Sequence, residues 1–388
     1  MECRFDRNIS RFGTNCAKWD GAVNTYGPDM ISLSVADMDF QVPEPVLAEA
    51  EALAKHGIFG YTELNPPYYA AVQRWLSTQY HWDVPTEWIV FSPRIIQAVS
   101  LIIQEFTAPG DSIMMHTPAY QPIANAVELN DRRFVGSPLK LINGRYEIDY
   151  DHMEQHMKEG IKLLLLCTPH NPTGRVWTSS ELARIAELCE KYDVLIVSDD
   201  IHADFVRDGH EHTIIAKLNE QTAMRSFICT SPGKTFNLAS IEIANIIIPN
   251  PEYRQKFQHS LQKAGIHNPT FFAPRLLEAA YTDCEDWLQE LRAYIENNLK
   301  FVTQYIQEHL PMLTIVEPEG TYLLWIDCRQ LAADEEQLKQ MFLKAKVSVS
   351  LGGSFGTDGK GFIRLNLATP RDLLEESLKR FQNVVENK

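Results

Sequence analysis

The sequence has 388 residues, 45% hydrophobic and 22% charged, which is typical of a globular protein and excludes a disordered or coiled-coil chain. Its formal net charge of −15 would repel phosphate backbones and anionic membranes, which argues against both as partners. The seven cysteines include no CxxC pair, the N-terminus has no apolar signal segment, and no apolar run approaches the roughly 20 residues that span a bilayer. We therefore expect a cytoplasmic protein that binds neither nucleic acid nor membrane.

The first two thirds of the chain predict alternating helices and strands. The first 45 residues are rich in Asp, Asn and Pro and predict irregular structure. Amphipathic periodicity then predicts helices over residues 45–56, 67–80, 95–106, from 121 onward, and 179–192. Short apolar runs predict strands at residues 88–91, 112–115, 163–167, 194–198, 226–230 and 243–248. This alternation is typical of an α/β fold with a mainly parallel sheet flanked by helices.

The pattern changes after about residue 269. A long helical region is predicted over residues 272–309, bent near Cys284, followed by strands at 314–316, 322–326, 347–350 and 362–367 and helices at 334–346 and from 371. This is typical of a smaller α+β unit. We predict a large domain over residues 46–283 and a small domain over residues 284–388, to which residues 1–45 contribute.

Two charged residues directly follow predicted strands, where open α/β sheets bind their ligands. Lys234 lies in the turn SPGK after strand 226–230 and is either an ordinary surface lysine or a Schiff-base lysine, whose amine must be partly desolvated. Asp199 follows strand 194–198 and either caps a helix or holds a protonated ring nitrogen.

Three other places are weak signals when each is taken alone. Asn171 lies in the common turn sequence NPTG. The turn SPRII at residues 92–96 begins a helix, whose free N–H groups suit a phosphate. Arg364 lies within an apolar strand, and a buried guanidinium needs a partner such as a carboxylate. It is the order of these features along the chain, together with Tyr120, that is specific.

In this order the features resemble the fold-type I pyridoxal 5′-phosphate (PLP) enzymes of the class I/II aminotransferase superfamily, over nearly the whole chain. The segments SVADMDF (34–40), FGY (59–61), DDIH (199–202) and KTFN (234–237) are similar to those of bacterial C–S lyases of the MalY and PatB type. That group includes cystathionine β-lyases and cysteine desulfhydrases. The resemblance implies PLP as the cofactor, bound by the large domain, and a homodimer with shared active sites.

The resemblance also implies roles for the residues around the cofactor ring. Lys234 would hold PLP as a Schiff base, and Asp199 would pair with the pyridine nitrogen. Asn171 would hydrogen-bond the 3-oxygen of the ring, and His202 would face the same oxygen, with a structurally buried histidine as the alternative. Tyr120 would stack on the ring. Lys234 and Tyr120 are the predicted catalytic residues, and Asn171 and Tyr120 would also contact the substrate.

The remaining implied roles concern the phosphate and the substrate carboxylate. Ile95, Ile96 and Ser231 would bind the phosphate through backbone N–H groups and a hydroxyl. Tyr61 would reach the phosphate of the neighbouring subunit, which requires a dimer. Arg364 would bind the α-carboxylate of a small sulfur-containing L-amino acid.

Three positions depart from the pattern of the relatives. Arg94 stands where relatives commonly have Gly, and Gln121 stands where some have a second Tyr. Glu242 lies eight residues after Lys234, where aspartate-type aminotransferases have a phosphate-binding Arg. The absence of that Arg favours a lyase over a plain aminotransferase.

The expected activity is that of a cystathionine β-lyase or cysteine-S-conjugate β-lyase. Elimination from L-cystathionine or L-cysteine would give pyruvate, ammonia and either homocysteine or hydrogen sulfide. One alternative is a PLP-dependent aminotransferase, and a second is a PLP-binding regulatory protein with secondary lyase activity. His210 and His212 suggest a metal pair, but no third ligand is evident, and we expect no metal.

Overall fold

The computed structural model describes residues 3–387 of the chain. Its strands are β1 (Ile31–Ser32), β2 (Ile89–Ser92), β3 (Ser112–Thr117), β4 (Arg133–Pro138), β5 (Lys140–Ile142), β6 (Arg145–Glu147), β7 (Ile161–Cys167), β8 (Leu195–Asp199), β9 (Ser226–Thr230), β10 (Ala244–Ile247), β11 (Thr314–Ile315), β12 (Leu323–Asp327), β13 (Val347–Ser348), β14 (Ser350–Leu351) and β15 (Phe362–Asn366).

The α-helices begin and end close to the predicted positions where these were stated. They are α1 (Asp20–Tyr26), α2 (Glu44–His56), α3 (Pro66–Tyr80), α4 (Ile95–Phe106), α5 (Gln121–Leu129), α6 (Tyr150–Lys158), α7 (Ser179–Lys191), α8 (Glu220–Met224), α9 (Pro232–Thr235), α10 (Pro251–Lys263), α11 (Ala273–Asp283), α12 (Glu285–His309), α13 (Glu335–Lys344) and α14 (Arg371–Glu386). A capping box begins α7, with Thr178 and Glu181 each accepting from the other's backbone N–H.

A seven-stranded sheet lies at the centre of the molecule, with strand order β2-β10-β9-β8-β7-β3-β4. β10 runs in the opposite direction to the other six strands, whose carboxyl ends therefore lie at one edge. β7 is an almost continuous apolar run because both faces of the sheet are covered. The prediction of a mainly parallel sheet is confirmed.

Alternate residues of the central strands belong to two separate apolar clusters, one on each face of the sheet. On one face Ile113 and Val197 share a cluster with side chains of α4, α5 and α10. On the other face Leu164 and Ile196 share a larger cluster with side chains of α3, α6, α7 and α11. This arrangement leaves the carboxyl edge of the sheet as the place where loops and ligands can meet.

The last third of the chain forms a second, antiparallel sheet with strand order β11-β12-β15-β14. Helices α12, α13 and α14 accompany it, and α14 packs against both α12 and α13. β1, from the N-terminal segment, pairs in parallel with β13. That pairing joins residues 31–32 to the C-terminal unit. The three-part domain division itself stays a prediction.

The structure differs from the predicted elements in several places, and it contains α6, α8, α9, α10, β1, β5 and β6, which were not predicted. The predicted helix over 272–309 is two helices, α11 and α12, which are separated at Cys284. The predicted strand over 347–350 is divided, because β13 pairs with β1 whereas β14 pairs with β15. α1 lies within the segment predicted to be irregular. β4 was not predicted, since it is a partly exposed edge strand with a short apolar run.

No helix within residues 3–387 is long and apolar enough to cross a bilayer.

Candidate active site

A cavity of about 220 Å³ opens at the carboxyl edge of the central sheet, at the ends of β2, β3, β7, β8 and β9. Its walls bring together side chains that lie up to 207 positions apart in the sequence. The lining residues are Ala36, Pro93, Arg94, Ile95, Ile96, Tyr120, Ile123, Cys167, Asn171, Asp199, Ile201, His202, Ser231, Gly233, Lys234, Ala239 and Ile243.

Lys234 lies on the short helix α9, directly after β9. Its Nζ donates a hydrogen bond of 2.5 Å to the backbone oxygen of Ala36. The pKa of Lys234 is lowered to about 8, mainly by burial and also by the nearby Arg364 guanidinium, while Asp37 and Asp199 act in the opposite direction. A larger share of this amine is therefore neutral near physiological pH than for an exposed lysine, and the neutral form is the one that acts as a nucleophile or proton acceptor.

Asp199 is the last residue of β8 and lines the cavity. Within the described part of the chain, its carboxylate accepts one hydrogen bond, from the backbone N–H of Ile201 at 3.3 Å. Burial raises the pKa of Asp199 to about 7, with a further contribution from the adjacent Asp200. A buried carboxylate with so few donors suits a ligand that brings its own proton or positive charge.

His202 is buried beside Lys234, and its Nδ1 has no hydrogen-bond partner among the described residues. Burial lowers the pKa of His202 to about 3, and Lys234 and Arg364 act in the same direction. The ring is therefore neutral. Its unpartnered Nδ1 is available to a ligand, which favours the predicted ligand contact over the alternative of a structurally buried histidine.

Arg364 and Asn171 meet although 193 positions separate them in the sequence. Arg364 Nη1 donates to Asn171 Oδ1 at 2.9 Å, and Nη2 donates to the backbone oxygen of Ser34 at 2.9 Å. Its buried Nε has no partner among the described residues, and the ring of Phe355 lies 4.8 Å from the guanidinium carbon. Burial without a carboxylate partner lowers the pKa of Arg364 to about 10. A carboxylate ligand would supply the missing acceptor.

The opposite end of the cavity is built from backbone groups. Ile95 and Ile96 lie in the first turn of α4. That turn contains no acidic residue, so the N–H groups of Ile95 and Ile96 suit an anion. Ser231 Oγ donates to the Ile243 oxygen at 2.8 Å and accepts from Gly233 N at 3.1 Å. Tyr120 is the N-cap residue of α5 and lines the same cavity.

Eight of the ten predicted site residues line this cavity, and Arg364 joins it through Asn171. Tyr61 is the exception, since its side chain is completely exposed and does not line the cavity. Its predicted role requires a second subunit and stays a prediction.

Gln121 and His212, two further residues noted in the sequence, contact other polar side chains. Gln121 donates to Asn125 at 2.7 Å on the surface of α5, and His212 Nε2 contacts Asp200 Oδ2 at 2.9 Å.

Residues 34–40 form a strap across the site whose contacts the sequence did not predict. Asn366 donates to the backbone oxygens of Val35 and Asp37, at 2.7 and 2.6 Å. The buried Tyr322 hydroxyl donates to the Ala36 oxygen at 3.0 Å, the same atom that accepts from Lys234. The motif SVADMDF marked this segment, but no local signal identified Tyr322.

A model of the family described as aminotransferase class I and II matches residues 28–381. The chain belongs to this family. It is 37% identical to the cystathionine β-lyase PatB of Bacillus subtilis, over 97% of this chain and 98% of the relative. It is 32% identical to protein MalY of Escherichia coli, over 98% of both chains. The predicted family resemblance is confirmed.

Solved structures of similar proteins extend this comparison to the fold. Cystalysin from Treponema denticola, described as containing PLP, superposes with a TM-score of 0.96 at 34% identity and covers the whole of both chains. A PLP-bound C–S lyase from Staphylococcus hominis superposes with a TM-score of 0.92 at 30% identity, over 99% of this chain and 98% of the other. The predicted fold-type I architecture is confirmed.

Proposed function

We propose that this chain is a PLP-dependent carbon–sulfur β-lyase, which eliminates a thiol from a small sulfur-containing L-amino acid. The observation that carries the proposal is a buried lysine amine, with a pKa lowered to about 8, set between a buried carboxylate and a buried guanidinium. The cystathionine β-lyase PatB and the C–S lyase structures support the lyase class over the aminotransferase alternative.

The chemistry of the residues that line the cavity fits PLP. Lys234 would hold its aldehyde carbon, Asp199 its ring nitrogen, and Asn171 and His202 its 3-oxygen. Tyr120 would pack on the ring. The poorly satisfied carboxylate of Asp199 and the unpartnered Nδ1 of His202 are the features that such a ligand would complete. When bound, PLP supplies an electron sink for the charge left at the substrate Cα.

Arg364 orients the substrate by binding its α-carboxylate. The buried Nε of the guanidinium has no partner among the described residues, so a carboxylate oxygen of the substrate can accept a charge-assisted hydrogen bond from it. Fixing the carboxylate holds the Cα–H bond in one orientation toward the proton acceptor. This positioning lowers the entropic part of the barrier.

The substrate amine would take the place of Lys234 on the cofactor, and the amine of Lys234 released in this exchange takes the proton from Cα. Because the Ala36 oxygen accepts one N–H of the amine, the direction of the nitrogen lone pair is restricted. The electron pair left at Cα forms the Cα–Cβ double bond as the Cβ–S bond breaks, and the thiolate leaves. The released three-carbon fragment hydrolyses to pyruvate and ammonia. With cystathionine the thiol product is homocysteine, and with cysteine it is hydrogen sulfide.

We further propose that the enzyme is a cytoplasmic homodimer with the large and small domains described above. Ile58, Phe59 and Tyr61 form an exposed aromatic and aliphatic stretch, and Phe59 also contacts Phe271 and Phe272. Apolar side chains exposed together in this way are typical of a surface that binds a partner. A second copy of the chain would cover them, and its cavity would receive Tyr61 at the phosphate end.

The decisive experiment measures pyruvate release from L-cystathionine by the purified holoenzyme with no keto acid added. Stoichiometric pyruvate and homocysteine are expected, and Lys234→Ala should abolish both while leaving a folded protein. Turnover that appears only when a keto acid is added would identify an aminotransferase. Normal turnover by Lys234→Ala would remove Lys234 from the mechanism.

A further inference from the structure

Two of the positions that depart from the relatives meet in the structure. β2 and β10 are antiparallel neighbours, and Ser92 lies opposite Ala244 in their register. Two residues beyond that pair are Arg94, after the end of β2, and Glu242, before the start of β10. The antiparallel register therefore brings them together, and Arg94 Nη2 forms an ion pair with Glu242 Oε1.

This ion pair lies at the end of the cavity that suits an anion. Arg94 lines the cavity next to Ile95, the first residue of α4. Ile243 follows Glu242 and lines the same cavity, and its backbone oxygen accepts from Ser231 Oγ. The Arg94 backbone is held by Ser92, whose hydroxyl donates to the Arg94 oxygen at 3.1 Å.

The charges at this end are unbalanced without Arg94. A phosphate monoester carries about −1.5 to −2 charges at pH 7, whereas the N-terminus of a helix offers roughly half a positive charge. Two of the lining residues carry a lysine or arginine side chain, Lys234 and Arg94. The Lys234 amine is hydrogen-bonded to the backbone oxygen of Ala36. The Arg94 side chain is 55% exposed and so is not locked by packing.

We propose that Arg94 binds the cofactor phosphate and that Glu242 competes with the phosphate for its guanidinium. The proposal rests on the proposed use of PLP and adds a phosphate-binding side chain specific to this sequence. A guanidinium has five N–H donors, so Arg94 can donate to a phosphate oxygen as its side chain turns away from the Glu242 carboxylate. Glu242 then lowers the affinity of the protein for PLP, because its negative charge remains near the phosphate.

The test compares PLP with pyridoxal, which has the same ring but no phosphate. Kd values for both ligands are measured by absorbance titration of cofactor-free protein. Arg94→Gln is expected to raise the Kd of PLP by ~10-fold, because a charge-assisted hydrogen bond is lost, and to leave the Kd of pyridoxal unchanged. Glu242→Gln is expected to lower the Kd of PLP by about 3-fold, as a competing charge is removed.

Arg4→Gln is the matched control, since Arg4 is 53% exposed and pairs with Glu290 at 3.1 Å, away from the cavity. It should change neither Kd. An Arg94→Gln protein that binds PLP as tightly as wild type, or that loses PLP and pyridoxal affinity equally, would overturn the inference and leave the proposed function standing. A wild-type protein that fails to bind PLP would instead overturn the proposed function.

Discussion

Lys234 illustrates how burial prepares a single residue for chemistry. An exposed lysine titrates near 10.4, whereas the buried Lys234 has a pKa lowered to about 8. The amine loses its proton as the pH rises through that value, so its nucleophilic form increases over the range from about pH 7 to pH 9. Its neighbours matter as well, since Asp37 and Asp199 favour the charged form and Arg364 opposes it.

We expect the acylation rate of Lys234 in the cofactor-free protein to rise with a midpoint near pH 8. The reaction is followed by mass spectrometry of the peptide that carries Lys234, with Lys234→Ala as the blank. Because the neutral amine is the reactive species, the midpoint reports its pKa directly. A midpoint near 10.4, as for exposed lysines, would contradict the burial argument.

Asp199 shows the cost of the same burial for a carboxylate. Its pKa is raised to about 7 in the folded protein, above the usual value of 3.8. Between these values the folded state binds more protons than the unfolded state, so stability falls as the pH rises. The stability linked to the protonated form is complete below about pH 4 and is lost as the pH passes 7. A bound cationic ring nitrogen would remove this cost.

Asp199→Asn is therefore expected to stabilise the cofactor-free protein at pH 7.5, by ~1–4 kcal/mol from the size of the pKa shift. The gain should shrink at pH 5.5, where the native carboxyl is mostly protonated. Thermal or urea unfolding at the two pH values measures it. Asp193→Asn is the control, because that side chain is 98% exposed and should show no such gain. An equal gain at both pH values would contradict the assignment.

At the scale of elements, the strap over residues 34–40 depends on polar contacts with other segments. Asn237, after α9, accepts from Met38 N at 3.1 Å and donates to the oxygens of Met38 and Phe40 at 3.1 and 2.9 Å. Asn237 itself has a φ of 58°, a conformation that asparagine tolerates better than most residues. One side chain thus joins the lysine loop to the strap that receives the lysine amine.

Asn237→Ala should destabilise the protein by ~2–4 kcal/mol, since three hydrogen bonds are lost and buried partners are left unsatisfied. Urea unfolding measures the free energy, and hydrogen exchange of the Met38 amide reports loosening of the strap. Asn15→Ala is the matched control, because Asn15 also has a positive φ, of 61°, but is exposed. Equal losses in both variants would mean that backbone conformation alone, and not the contacts with the strap, explains the effect.

At the scale of the whole molecule, the exposed stretch of Ile58, Phe59 and Tyr61 is the feature that a monomer does not explain. Phe59 is 61% exposed although it touches two other phenylalanines. Burial of such side chains stabilises by about 1.5–3 kcal/mol each, so a second copy of the chain that covers them would gain stability. The proposed dimer would also complete the phosphate end of each cavity with Tyr61.

Phe59→Asp is expected to shift the protein from dimer to monomer and to weaken PLP binding, since a charge would enter an apolar contact. Sedimentation velocity gives the oligomeric state, and absorbance titration gives the Kd of PLP. Leu129→Asp is the control, because Leu129 is 83% exposed as a single apolar residue and should leave both measurements unchanged. A Phe59→Asp protein that stays dimeric would show that the interface lies elsewhere.

Much of the site could be predicted because the chemistry is tied to strand ends. β8 and β9 were readable as apolar runs, and Asp199 ends β8 while Lys234 lies in the turn after β9. Parallel strands share their carboxyl edge, so finding the strands was enough to place these residues together. The capping box of α7 was predictable for another reason: its two residues lie within four consecutive positions of the chain.

The sequence by itself therefore determined the α/β class and most strand positions, because these follow from local periodicity, whereas the full set of site residues came from the resemblance to a known family. Only the tertiary structure decided the contact of Arg364 with Asn171, the pairing of Arg94 with Glu242, and the shared acceptor Ala36. These contacts join segments 148 to 286 positions apart. They depend on the register of β2 with β10 and on how the second sheet and the strap pack at the site, which no local pattern of residues specifies.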